Sequence, residues 1–70
     1  MNKWAVVYKT TRSSRAEIVK GVLTERGFDA VIVNKKDSTL HLDHGQIEVQ
    51  VSKDRVLEAI KIIENEITFN

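Results

Sequence analysis

Apolar residues crowd the segment Trp4-Ala5-Val6-Val7-Tyr8 before Lys9 and Thr10 turn it polar. Side chains alternate across a strand, which sets Trp4, Val6 and Tyr8 on one face and Ala5 and Val7 on the other. Apolar residues on both faces predict a strand over 4–9 in the middle of a sheet. Downstream, Ala16, Val19, Val22 and Leu23 recur at helical spacing and predict a helix ending near Arg26. Ser14 and Glu17 have the spacing of a capping box, in which each side chain accepts the other residue's free backbone N–H. Gly27 is placed to stop the helix in the left-handed conformation, with Phe28 folding back on the last turn.

A second apolar stretch predicts a strand over 28–34, with Phe28, Ala30 and Ile32 alternating against Val31 and Val33. Lys35 to Asp37 breaks it, Thr39 to Leu42 alternates as a short strand arm, and Asp43-His44-Gly45 reads as a turn. Over 46–51 the alternation is strict: Ile47, Val49 and Val51 face the core, and Gln46, Glu48 and Gln50 face away. Ser52 has the place of an N-cap, with Asp54 near the positive helix end. Val56, Ala59, Ile60, Ile63 and Ile67 then form a buried stripe. Ile67-Thr68-Phe69 either frays or adds a last strand.

The order predicts an α+β domain, a ferredoxin-like β-α-β-β-α(-β) two-layer sandwich whose antiparallel sheet carries both helices on one face. One domain spans residues 1–70, with its core over about 4–66. The far sheet face is then left with Ala5 or Val7, together with Val31 and Val33. Without a last strand the first strand keeps an open edge, and an open edge is a template for pairing. Ile18 and Gly21 lie off the helix stripe. These six residues are the candidate interface of a homodimer or of a complex with another protein.

Composition narrows the rest. Seventy residues make a small core, and such domains often lean on disulfides, metals or a partner. There is no cysteine, which removes disulfides and thiolate metal sites and suits a reducing cytoplasm. A net charge of +1 gives no basic field for nucleic acid, and the third strand offers no stacking aromatic. The apolar run near the N-terminus is too short for a signal-peptide core, and no stretch is long enough for a membrane span. The expected location is cytoplasmic, with no membrane or nucleic-acid partner.

Candidate chemistry is sparse. His41, Asp43 and His44 are the one group with metal-ligand character, yet they lack a second anchoring motif and read as a solvated hairpin tip. No serine has an evident base, and the helical glutamates read as a solvated face. No catalytic residue, metal or cofactor is expected. A small-anion or nucleotide-metabolite site is the alternative to an interaction module. It would use Thr10, Thr11 and Arg12 at the first helix start. The polar turn Asn34-Lys35-Lys36-Asp37-Ser38 would lie at the same sheet end.

Three stretches carry a family resemblance: Val6 to Thr10, Ala16 to Lys20 with Leu23, and Gly27 to Asn34. With Asn34 to Ser38, Ile47 to Val51 and the helix Val56 to Ile63, the chain resembles a small bacterial family of unknown function called prokaryotic signal-transducing protein, in its Bacteroidetes form. The resemblance covers about residues 4–66. It implies a ferredoxin-like, PII-like fold and a regulatory or binding role without established chemistry. Thr39 to His44 is longer than the family's usual link. The long nucleotide loop of PII proteins has no counterpart here.

Overall fold

The computed structural model describes residues 3–35 and 46–69. A strand β1 (Trp4–Thr10) leads into helix α1 (Ser13–Glu25), followed by strands β2 (Ala30–Asn34) and β3 (Ile47–Ser52). A single 3-10 turn (Lys53–Arg55) then opens helix α2 (Val56–Glu66). The sheet order is β1-β3-β2, with β3 antiparallel to both neighbours. The described residues are therefore α+β, a three-stranded antiparallel sheet with two helices. Among the described residues no helix is long and apolar enough to cross a membrane.

Among the described residues the expected central position of the first strand is corrected: β3 is central and β1 is an edge. The reason lies in a β-bulge at Val7. Val6 pairs with Gln50 and Tyr8 with Val49, so Val7 is an extra residue with no opposite number. An extra residue reverses the alternation beyond it. Ala5 shares a face with Val51, Tyr8 with Val49 and Thr10 with Ile47, while Trp4, Val6 and Lys9 share the other face with Ser52, Gln50 and Glu48. Apolar residues on both sides of β1 thus mark a bulged edge strand and not a central one.

The core lies on the Ile47, Val49 and Val51 face of β3. There these residues meet Ala16, Val19 and Leu23 of α1, Phe28, and Ala59 of α2 in one buried cluster. Val7, Tyr8, Ala30 and Ile32 pack against it from the flanking strands. On α2 the packed residues include Val56, Ile62 and Ile63, so Ile62 takes the place expected of Ile60.

The capping box at Ser14 and Glu17 does not form. Ser14 sits inside α1, whose N-cap is the extended residue Arg12, with no side-chain cap. The Arg12 N–H instead donates to the Thr10 hydroxyl at 3.0 Å, and the Arg12 carbonyl accepts from Arg15 and Ala16. At the other end the expectation holds. Gly27 has φ of 90°, its N–H donates to the Thr24 carbonyl, and the Phe28 N–H reaches back to Leu23. That pair of bonds closes the helix as a Schellman motif and buries Phe28 beneath its last turn. Phe28 is consumed by this cap, which is why β2 begins at Ala30 and not at residue 28.

Arg55 ties this cap to α2. Its guanidinium lies 4.0 Å over the Phe28 ring, and Nη1 donates to the Gly27 carbonyl at 3.2 Å. Ser52 accepts from the Asp54 N–H, so it caps the 3-10 turn that precedes α2. After α2 the chain extends at Ile67 and forms no strand over 67–69. Phe69 packs against the core, with its ring centroid 6.0 Å from that of Tyr8 and the Arg15 guanidinium 4.6 Å above it.

Candidate interaction surface

Both helices sit on one side of β3, which leaves the other sheet face to the register. Its central row sets Val6, Gln50 and Val31 side by side. The next row sets Lys9, Glu48 and Val33 together, and Trp4 stands beside Ser52 at the far end. Directly opposite side chains on one face are roughly 5 Å apart at Cβ, so each row is a contact surface in its own right. Trp4 and Val6 are 37% and 38% exposed, and Val31 and Val33 are half-buried.

A polar cluster crosses the middle of this face. Glu48 is only 8% exposed although the helices lie on the opposite side. Its Oε1 accepts from Gln50 Nε2 at 2.9 Å and lies 3.7 Å from Lys35 Nζ. Partnering of this kind is what allows a charged group to sit buried between Lys9 and Val33. The face is therefore apolar at its flanks and ionic at its centre.

The interface residues expected from the sequence divide. Val31 and Val33 lie on the open face. Ala5 pairs with Val51 on the helix face and Val7 packs against the core, so these two do not line the open surface. Trp4 and Val6 take their place, because the bulge assigns them to it. No residue of β1 signals this exchange, because unbroken alternation puts Lys9 on the open face with Ala5 and Val7, and the bulge leaves Lys9 there. Ile18 is 50% exposed on α1, and a side chain at Gly21 would meet nothing within 4 Å. Leu57 on α2 is also exposed.

The expected anion site is gathered at one sheet end. Thr10 and Asn34 both pair with Ile47, on opposite sides of β3, so Thr11, Arg12 and Lys35 follow them at the same end. Thr10 is buried and its hydroxyl serves the Arg12 N–H, a structural duty. Lys36, Asp37 and Ser38 lie outside the described residues, as do His41, Asp43 and His44 and the arm expected over 39–42. Among the described residues no three His, Asp or Glu side chains come together as a metal site. Ser13 and Ser14 lie in the first turn of α1.

Comparison with protein-family models, with curated proteins and with solved structures returns no match for this chain.

Proposed function

We propose that this chain is a non-catalytic interaction module of a regulatory kind, which docks a protein partner on its open sheet face. The observation that carries this reading is the exposure of Trp4 and Val6 beside Val31 and Val33, on a face that neither helix covers. A folded chain gains little by leaving a tryptophan and three valines together outside its core, whereas aromatic and apolar anchors dominate protein contacts. The charged residues of the face add a specificity element, since a partner must meet the exposed Lys9 and Lys35 as well as the valines.

The order β1-β3-β2 supports reading the sheet as three strands of a ferredoxin-like split β-α-β arrangement. The resemblance to the signal-transducing family supports the regulatory sense of the proposal.

The test compares the chain with a Val31→Glu, Val33→Glu variant on affinity matrices exposed to the same cell extract. Proteins retained only by the unmodified chain are purified and titrated against it while Trp4 emission is recorded. Trp4 is the sole tryptophan, so its emission reports on the face directly. The expected result is a protein that shifts Trp4 emission to the blue and binds the variant at least about tenfold more weakly. Equal retention by both chains would remove the open face from consideration.

A further inference from the structure

The charges of the open face are sorted by depth. Among the described residues Glu48 is the one carboxylate in its paired rows, and it is buried and engaged with Lys35 and Gln50. The cations are exposed. Lys9 stands beside Glu48 and forms no ion pair among the described residues, and the Lys35 side chain is 55% exposed. Both lie toward the Ile47 end of the sheet, whereas Asp29, the acid just before β2, falls at the opposite end. A partner therefore meets exposed positive charge next to Val6, Val31 and Val33. We propose that the occupant of this face is an acidic amphipathic helix of another protein. The inference rests on the docking reading above and names the kind of segment that docks.

Charge complementarity sets the sign of the partner, since exposed ammonium groups favour carboxylates and repel a basic segment. Geometry sets its form. Val6 and Val31 flank Gln50 on neighbouring strands, two strand spacings or about 10 Å apart. A helix with its side chains is about 10 Å wide and spans both valines at once, where a single strand covers one. An extended segment laid on these side chains would also bury backbone N–H and C=O groups against them, whereas a helix bonds its own. Along the strands, the row of Lys9 and Val33 lies about 7 Å beyond that of Val6 and Val31. One helical turn advances about 5.4 Å, so a carboxylate three or four residues from an apolar anchor reaches the lysines. The pattern recognised is thus a pair of apolar residues at helical spacing with Asp or Glu one turn on.

The probe is a phage-displayed library of random peptides of about 16 residues, four to five helical turns. It is selected on the folded chain and, in parallel, on its Val31→Glu, Val33→Glu variant. Sequences enriched only on the unmodified chain should carry apolar residues at three- and four-residue spacing with Asp or Glu one turn on. The most enriched peptide, made synthetically, should gain helical circular dichroism on binding and bind more weakly as salt rises. The Lys9→Gln, Lys35→Gln variant should raise its dissociation constant about fivefold to tenfold. Lys20→Gln, Lys61→Gln, the same charge change on the two helices, should leave it within about twofold. Circular dichroism confirms that each variant is folded, and Lys9→Gln alone, expected to cost about twofold to threefold, stands in for a double variant that is not. No enrichment beyond the valine variant overturns the inference. So do enriched sequences that are basic or that alternate with a period of two, and so does binding indifferent to both lysines. A cellular protein that docks on Val31 and Val33 through a basic or extended segment would overturn the acidic helix alone. Acidic helices selected here, with every extract protein retained equally by the chain and its valine variant, would overturn the docking reading alone.

Discussion

An alanine at Gly27 would have to hold φ near 90°, a conformation that crowds Cβ against the following carbonyl in any L residue. No neighbouring heavy atom lies within 4 Å of the added methyl, so the cost is backbone strain alone. Gly27→Ala should therefore lower stability by about 1–2 kcal/mol. Gly21 is the opposite case. It lies in the interior of α1, exposed, with open space where a side chain would stand. Gly21→Ala should raise stability by about 1 kcal/mol through helix propensity. Urea unfolding of both variants should move the midpoint in opposite directions. A Gly21→Ala variant that loses stability would mean that another helix or subunit closes on Gly21 in solution. The Gly27 cap was legible in the sequence because a glycine after a helical stripe has one evident use. The start of α1 was not. Thr10, Thr11, Ser13 and Ser14 all stand near it and none caps the helix; Thr10 instead shapes the turn before it by accepting from the Arg12 N–H.

At the scale of the element, β1 was legible as a strand but not in its facing. A periodicity of two cannot report an inserted residue, and Val7 is as apolar as its neighbours. Every side-chain assignment before the bulge was therefore reversed relative to those after it, which exchanged Ala5 and Val7 for Trp4 and Val6. The bulge can be tested by removing it. Deleting Val7 leaves each existing partner of β1 in place, from Trp4 with Ser52 to Thr10 with Ile47, because Val7 has no partner of its own. The deletion variant should fold with the same cross-strand nuclear Overhauser contacts between β1 and β3. It should lose roughly 1 kcal/mol for the half-buried valine. A variant that unfolds, or that pairs Tyr8 with Gln50, would show that the register of β1 is set by something other than its faces. β3 needed no such correction, since its strict alternation of Ile47, Val49 and Val51 already fixed the core side.

At the scale of the molecule, the layering followed from the element order, and the nature of the face that neither helix covers followed from the register. The ionic cluster at its centre was legible only in part. Glu48 and Gln50 were evident as outward polar residues, but their joining to Lys35 depends on the turn back from β2, where the Lys35 N–H donates to the Gln46 carbonyl. These two residues separate apolar flanks that would otherwise merge: Gln50 stands between Val6 and Val31, and Glu48 beside Val33. That placement gives the cluster a role against indiscriminate association and not a role in stability. Replacing a partnered buried charge by an apolar residue of similar reach is commonly neutral or stabilising, and valine favours a central strand. Lys35, left without its carboxylate, is exposed enough to be solvated. The double variant Glu48→Val, Gln50→Val should keep its urea midpoint or gain about 1 kcal/mol. Its light scattering should meanwhile rise steeply with concentration, because the open face becomes one apolar patch. A marked loss of stability would instead identify the Lys35–Glu48–Gln50 cluster as what holds β2 and β3 in register. A variant both stable and monomeric would mean that the flanking valines are already too well shielded to associate.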